Sequence, residues 1–422
     1  MEQENHSPVP EAAPAEEPSG ASLLPENASS ASPAPGADPE EYRGVDWAFI
    51  GDNGLRAGWS VLIFVPIYFI ALFTLGTAAS LIVGNIVHNR LGSGTALSAG
   101  SGELVPFFAM LIAAAIVGLI EHRSILDFNL KGSRRVLNFF SGFAAGFAAL
   151  SVLVGALAAG GWLHFGPIAL TGTNILKFAA LWGITFLLVG CFEEGVFRCY
   201  LQFTLTRGIN FWWALGTVSL VCLRLLFRLA QDWEKLHGSW ALFHDLPRAG
   251  TELGLLLTVN DNALVGVFVA ALLGLFPCLW LHLNKTEGAG FWQATWVTST
   301  LFCFVHTGNS GESWVGIFAV ALVGFVFCVS VRLTGSAWWA IGCHAAWDWA
   351  QTYFYGTADS GYAATGHYLT TTPAGNPFWS GGADGPEGSA LIVGILLLML
   401  LALVGLYGRK KPAIDTLERA IG

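Results

Sequence analysis

The chain has 422 residues, of which 54% are hydrophobic and only 12% carry a charge. This composition is typical of multi-pass membrane proteins and excludes an ordinary soluble domain. It also argues against nucleic acid as a partner, because binding to phosphate backbones needs a basic surface and so few residues are charged.

The first predicted element is an acidic tail, residues 1–55, rich in Pro, Ala and Glu. Because it has no long apolar run, it cannot bury enough apolar surface to fold, and we predict that it is disordered. It also lacks the basic start and adjoining apolar core of a signal peptide, so membrane insertion is expected to depend on the first span.

Apolar stretches long enough to cross the hydrocarbon core as helices follow the tail. The predicted fold class is therefore all-α, a polytopic transmembrane helical bundle with about ten spans. The predicted spans lie near residues 57–87, 104–120, 136–162, 175–206, 211–229, 263–283, 290–306, 314–333, 335–355 and 389–408.

Basic residues beside these spans predict the orientation, because positive charges concentrate in cytoplasmic loops. Both termini are predicted to be cytoplasmic, in the cell (inner) membrane. The basic residues that follow the second and the last span are Arg123, Lys131, Arg134, Arg135, Arg409, Lys410 and Lys411.

An internal similarity predicts an insertion in the bundle. GINFWWALGTVSLVC (208–222) and GAGFWQATWVTSTLF (288–302) share Gly, Phe, Trp, Ala and Ser at matching positions. We interpret residues 209–288 as two extra helices and a polar loop inserted into an eight-span core. The remaining predicted parts are the first three spans (56–174), a core (175–355), a Gly- and Pro-rich loop (356–388) and the last span with a basic tail (389–422).

Ionisable residues stand inside three of the predicted spans. Each charge at the centre of a bilayer costs about 2.5–3.5 kcal/mol, so such residues usually face the bundle interior and serve a function. The segments that carry them are LLVGCFEEGVFRCYLQF (188–204), FCFVH (302–306) and HAAWD (344–348). In chain order the ionisable residues are Glu193, Glu194, Arg198, His306, His344 and Asp348.

Helix geometry distinguishes the two glutamates. Glu194 and Arg198 are four residues apart and share a helix face, whereas Glu193 is rotated by about 140° from Arg198. We therefore predict a Glu194–Arg198 pair and a Glu193 that points elsewhere. The rise per residue brings Glu193, His306 and His344 to within about two helical turns of the same depth, so they are expected to meet across neighbouring helices.

Several kinds of chemistry use such residues. A carboxylate beside a histidine can hold and deprotonate water, and a second histidine with a polar partner can stabilise the oxyanion formed when water attacks an amide. The same residue types can ligate zinc, and ion-coupled carriers also gather intramembrane acids and histidines. Spacing alone leaves these alternatives open.

The motifs EEGVFR (193–198), FCFVH (302–306) and HAAWD (344–348) resemble E-E-x-x-x-R, F-x-x-x-H and H-x-x-x-N/D of the CPBP family of intramembrane proteases. This family includes CAAX prenyl endopeptidases of the Rce1 type and bacteriocin-immunity relatives. The resemblance covers residues 175–355. It implies an intramembrane endopeptidase that acts in the lipid bilayer on peptides or membrane proteins, including lipidated ones.

The resemblance also implies roles for single residues. Glu193 would act with His306 as the general base for water, and His344 with Asp348 would line the oxyanion site. Asp348 stands where eukaryotic members have Asn, which weakens the transfer of CAAX specificity. The motif-supporting residues would be Glu194, Arg198 and Phe302.

Metal dependence follows from the same residues. If zinc were bound, Glu193, His306 and His344 would be its ligands. The positive charge of Arg198 close to Glu193 would oppose a divalent cation. We therefore expect that no cofactor is required, with zinc as the alternative.

Two further functions stay open, a non-proteolytic bacteriocin-immunity-like membrane scaffold and a proton-coupled transporter. A serine protease built on Ser310 in GNSG is disfavoured, because Ser310 reads as part of a polar turn and helix cap. The 356–388 loop is long for a compact bundle, and we expect it to cap the mouth of the site.

Overall fold

The computed structural model describes residues 46–51, 54–90, 95–237, 263–309 and 311–408. Within these ranges the chain is almost entirely helical, which confirms the all-α class. The predicted tail up to residue 45, most of the predicted polar loop, Ser310 and the basic residues 409–411 lie outside the described residues.

Long helices form the bundle and coincide with the predicted spans. In the described residues they are α1 Ala57–Arg90, α2 Ala96–Ile120, α3 Arg135–Ala159, α4 Thr173–Glu194, α5 Phe211–His237, α6 Ala263–Leu283, α7 Ala289–His306, α8 Trp314–Thr334, α9 Trp338–Asp348 and α10 Leu391–Tyr407.

Shorter elements connect or extend these helices. Two π-helical segments, Gly195–Leu201 and Trp349–Tyr355, continue α4 and α9. Short helices and 3₁₀ turns lie at Asp46–Phe49, Ile125–Asp127, Gln202–Thr206, Pro377–Ser380 and Pro386–Gly388. Two antiparallel strand pairs join β1 Ile50–Gly51 to β2 Gly54–Leu55 and β3 Leu163–Phe165 to β4 Thr371–Pro373.

Six helical stretches in the described residues are long and apolar enough to cross a membrane: Ala57–Leu81, Ala96–Ile120, Arg135–Ala159, Thr173–Thr206, Leu264–Leu283 and Trp314–Thr334. Two shorter apolar helices are Phe211–Phe227 and Leu391–Tyr407. The chain is therefore a multi-pass membrane protein, while the count of about ten spans stays a prediction.

The polar composition of α7 explains why it does not stand out as a span. Gln293, Thr295 and Thr298 are buried in this helix. Thr298 donates a hydrogen bond to Oε1 of Gln202 at 2.9 Å, and Gln202 donates from Nε2 to Thr295 at 3.1 Å. Because Gln202 is hydrogen-bonded to Thr295 and Thr298, α7 can lie inside the bundle although its composition is not that of a lipid-facing helix.

Local signals define both ends of α8. The Ser313 hydroxyl caps the start by accepting a hydrogen bond from the Gly316 N–H at 3.0 Å. Gly335 ends the helix with a φ of 76°, a left-handed conformation that glycine adopts without a steric penalty.

Glycines bring α3 and α9 into direct backbone contact. A Cβ atom on Gly142 would collide with the Trp339 carbonyl, and one on Gly146 would collide with the Cys343 carbonyl. Small residues allow such close approach between membrane helices. This contact positions α9, which carries His344.

Replacing Gly146 by Val is expected to destabilise the bundle by at least about 2 kcal/mol, because the added atoms overlap the backbone of α9. The control is Gly155→Val in the same helix, where a Cβ has no atom within 4 Å. Thermal unfolding in detergent would measure the effect. Equal melting temperatures for the two variants would contradict it.

Candidate active site

Glu193 and Glu194 are the last residues of α4 before the π-helical segment Gly195–Leu201. Such segments are frequent at functional sites. Asn129 donates a hydrogen bond from Nδ2 to the carbonyl oxygen of Arg198 at 2.7 Å and so ties the segment to the connection between α2 and α3. Glu193 and Glu194 therefore lie at a helix end, and the segment that follows them is anchored by Asn129.

Glu194 and Arg198 form a fully buried ion pair. Glu194 Oε2 lies 3.2 Å from Arg198 Nε, and both side chains are 0% exposed. The Arg198 guanidinium also lies over the Phe302 ring, 4.0 Å from its centroid, and 5.4 Å from the Phe327 ring centroid. The aromatic rings add cation–π attraction to the pair.

Glu194 has a second partner on another helix. Its Oε1 accepts a hydrogen bond from the Nδ1–H of His344 in α9 at 2.8 Å. Glu194 thus joins Arg198 to His344 and fixes the orientation of the histidine ring. The helix-face geometry of α4 gives no signal for this contact, because it depends on how α4 and α9 pack.

His306 ends α7 and points its free nitrogen at Glu193. The Nδ1–H of His306 donates to the carbonyl oxygen of Phe302 at 2.8 Å. Because a carbonyl can only accept, the proton lies on Nδ1 and the neutral ring keeps a lone pair on Nε2. That Nε2 is 3.7 Å from Glu193 Oε2.

Asp348 and Glu193 lie at the other nitrogen of His344. The His344 Nε2 is 3.3 Å from Asp348 Oδ2 and 3.9 Å from Glu193 Oε2. The structure therefore brings together Glu193, His306, His344 and Asp348 from three helices.

A zinc ion held by Glu193, His306 and His344 would need all three ligand atoms about 2.0–2.2 Å from one point. His344 instead directs Nε2 closer to Asp348 than to Glu193. In the part of the chain that the structure describes, no group of three or more His, Cys, Asp or Glu side chains is arranged to hold a metal ion. The residues as placed therefore do not fit zinc.

A cavity of about 230 Å³ lies beside these side chains. One wall is apolar and comes mainly from α8 and α10. The other end is formed by the 356–388 loop, through Asp359, Ser360 and Glu387. The loop therefore contributes directly to the wall of the cavity.

Hydrogen bonds between carboxyl groups and serines hold the 356–388 loop in place. Asp384 Oδ2 accepts hydrogen bonds from the N–H and hydroxyl of Ser313, at 3.0 and 2.8 Å. Glu387 Oε1 accepts from the N–H and hydroxyl of Ser360. Burial raises the pKa of Glu312 to about 8, and repulsion from Asp384 adds to this increase. Burial also raises the pKa of Asp384 to about 6, although its hydrogen bonds, including one with Glu312, oppose the increase.

We expect the 356–388 loop to loosen as pH rises. An unfolded carboxyl titrates near pH 4, so between about pH 4 and 8 the folded loop binds more protons than the unfolded loop. Its stability should therefore fall across this window, by a few kcal/mol between pH 5 and 8.

Hydrogen exchange of the loop amides, corrected for intrinsic rates, would measure this change. Asp384→Asn should flatten the pH dependence, whereas Glu287→Gln, which changes an exposed acid before α7, should not. A loop whose protection is constant from pH 5 to 8 would contradict the expectation.

Glu103 lies beside the site but belongs to none of the three sequence motifs. Glu103 is half-buried in α2 and interacts electrostatically with Glu193, and Tyr68 of α1 interacts with both carboxyls. The predicted second span begins at residue 104, so this acid is assigned to a loop. The available signal is an acidic residue at the border of an apolar run.

A comparison with protein families adds independent information. Residues 175–350 match the family described as type II CAAX prenyl endopeptidase Rce1-like. No curated protein and no solved structure matches the chain. The matched range contains every motif residue described above, and the resemblance to the CPBP family is confirmed. Residues 175–350 of the chain are thus similar to Rce1-like CAAX prenyl endopeptidases.

Proposed function

We propose that the protein is a CPBP-type, glutamate-dependent intramembrane endopeptidase that hydrolyses peptide bonds with activated water. The observation that carries this proposal is the 3.7 Å separation between Glu193 Oε2 and His306 Nε2 beside a cavity. Both atoms are proton acceptors, and a water molecule about 2.8 Å from each could donate a hydrogen bond to both.

Glu193 is the base that removes the proton from this water. His306 orients the water and helps to remove its proton. It can do so because its Nδ1–H donates a hydrogen bond to the carbonyl oxygen of Phe302, which leaves Nε2 free to accept from the water. The resulting hydroxide attacks the carbonyl carbon of the peptide, and the proton then passes to the leaving amine.

His344 stabilises the tetrahedral oxyanion, and Asp348 lines the oxyanion site and holds the His344 ring in its charged form. The His344 Nδ1–H is bound to Glu194, so donation to the oxyanion comes from Nε2. A ring that donates from both nitrogens carries a positive charge, and the carboxyls of Glu193, Glu194 and Asp348 offset that charge. A donor prepared in this way is worth about a hundredfold to a thousandfold in rate.

The substrate is a peptide or a membrane protein, including lipidated forms. The apolar wall of the cavity, with Val320, Val323 and Phe327 of α8 and Ile392 and Leu396 of α10, supports binding of an apolar segment or a lipid chain. The protein is proposed to act in the cell (inner) membrane with both termini in the cytoplasm.

Purified full-length protein in detergent, incubated with a peptide library that includes prenylated members, would test the proposal. Cleavage that is lost with Glu193→Gln supports it. No cleavage, together with proton-driven solute uptake in liposomes, would favour the transporter. Neither cleavage nor uptake would favour the scaffold.

Metal content is expected to be unrelated to activity. Elemental analysis of active protein should find well under one zinc per chain, and a strong chelator should leave cleavage intact. Zinc at one equivalent per chain, lost and restored together with activity, would overturn the metal-free mechanism.

A further inference from the structure

Asn309 lies beside His306, in the turn that follows α7. Its N–H donates a hydrogen bond to the carbonyl oxygen of His306 at 3.0 Å. Thr307, between them, is 0% exposed, and its hydroxyl donates to the carbonyl oxygen of Phe304 at 2.7 Å. These bonds tie the turn to the end of α7, so the packing that places His306 in the site also places Asn309.

Asn309 also lines the cavity that contains Glu193, His306 and His344. It is the one carboxamide among the described residues of the cavity lining. A carboxamide combines an oxygen that accepts hydrogen bonds with two N–H donors, whereas an ionised carboxyl can only accept. Asn309 therefore has the same kinds of hydrogen-bonding group as a peptide bond, and it lies at the cavity that we propose binds a peptide.

One buried contact fixes the orientation of the Asn309 amide. Its Nδ2 donates a hydrogen bond to Oε1 of Glu312 at 3.1 Å, and Glu312 is 1% exposed. That bond uses one of the two hydrogens on Nδ2. Within the described ranges, the second hydrogen and the Oδ1 atom of Asn309 form no hydrogen bond. The amide is thus held at one group and has a donor and an acceptor left for a ligand.

A peptide in this cavity needs such partners for its main chain. Each of its residues except proline brings one N–H and one carbonyl oxygen, and a buried group of this kind without a partner lowers affinity. The apolar wall, with Val320, Val323 and Leu396, has no side chain that can form these hydrogen bonds. Ionised carboxyls in the lining can accept from an N–H, but a substrate carbonyl needs a donor. Asn309 can bind both groups.

We propose that Asn309 binds the main chain of the substrate next to the bond that is cut. Its Oδ1 accepts a hydrogen bond from a backbone N–H, and its second Nδ2 hydrogen donates to a backbone carbonyl oxygen. Because these groups are present in peptides of any sequence, the contact holds the substrate beside Glu193 and His306 without contacts to its side chains. The inference rests on the proposed endopeptidase function and adds a substrate-binding residue to it.

Ester substitution in the substrate tests this contact. In one cleaved peptide, each amide bond within about three residues of the cut would be replaced in turn by an ester, while the bond that is cut stays an amide. An ester removes the backbone N–H and weakens the carbonyl oxygen as an acceptor. With purified full-length protein in detergent, we expect the ester at the position that contacts Asn309 to lower kcat/KM about tenfold, mainly through a higher KM.

The variant Asn309→Ala tests whether Asn309 makes the contact. We expect it to lower kcat/KM for the all-amide peptide about tenfold, and the sensitive ester to cause less than about a twofold further loss in this variant. A displaced His306 would instead slow both peptides and leave the ester effect in place. If Asn309→Ala does not fold, Asn309→Leu, which keeps the branched shape, takes its place. The control is Asn284→Ala, at an exposed position after α6, which should keep the wild-type rates and ester effect.

The outcomes separate this inference from the proposed function. Equal kcat/KM for the amide and ester peptides, or an ester effect of full size in Asn309→Ala, would overturn the inference while proteolysis stands. If no peptide is cleaved, the proposed function fails, and the affinity of labelled peptides with an ester at each bond in turn decides the inference. About tenfold weaker binding of one ester to the wild-type protein, absent in Asn309→Ala, supports it. Equal binding of all the peptides, or no binding, overturns it.

Discussion

Glu193→Gln is expected to lower kcat by about a thousandfold or more and to leave the melting temperature nearly unchanged. The amide has almost the same size and shape as the carboxyl, but it cannot accept the proton of the attacking water. Glu193 Oε2 is 3.7 Å from His306 Nε2, and its side chain is 22% exposed, with no Lys or Arg partner among the described residues. The fold therefore depends little on its charge.

Initial rates with the best library peptide, together with thermal unfolding in detergent, would measure both effects. A suitable control is Glu287→Gln, which changes the same residue type at an exposed position before α7. It should change kcat by less than about tenfold. A Glu193→Gln protein that keeps a tenth of the wild-type rate would contradict the assigned base.

Arg198→Met should cost about 3–5 kcal/mol of unfolding free energy, because it leaves Glu194 buried without its cation. Both side chains are 0% exposed, and the guanidinium is enclosed by the rings of Phe302 and Phe327. The double variant Arg198→Met with Glu194→Gln should be more stable than Arg198→Met alone, because no buried charge is then left unpaired.

The comparison for this experiment is Lys131→Met. Lys131 also pairs with an acid four residues away, Asp127, but its side chain is 67% exposed. Loss of such a pair should change stability by no more than about 0.5 kcal/mol. Similar melting temperatures for Arg198→Met and Lys131→Met would contradict a structural role for the buried pair.

Glu194 is expected to affect activity as well as stability. Helix-face geometry predicts only a partner for Arg198, so a Glu194 variant would be expected mainly to melt earlier. In the structure Glu194 also accepts the Nδ1–H of His344 at 2.8 Å, so its loss also frees the ring that is proposed to donate to the oxyanion. The difference arises because a periodic pattern describes one helix and not its neighbours.

The helices could be predicted from the sequence because their signals are local. Long apolar runs mark α1 to α4, α6 and α8, and Gly335 with the Ser313 cap marks the ends of α8. The signal is weaker for α7, which carries buried polar side chains, two of them, Thr295 and Thr298, hydrogen-bonded to Gln202 inside the bundle. The π-helical segments after α4 and α9 carry no comparable signal, because local spacing does not distinguish them from an α-helix.

The sequence by itself determined the helical membrane class, the three motifs and the faces of Glu193 and Glu194, since composition and helical periodicity depend only on neighbouring residues. Tertiary structure alone decided the contact of Glu194 with His344, the fit of α9 against Gly142 and Gly146, and the presence of Asp359 and Glu387 in the cavity wall. These features join residues far apart in the chain, and their distances follow from how backbones and side chains pack around one another.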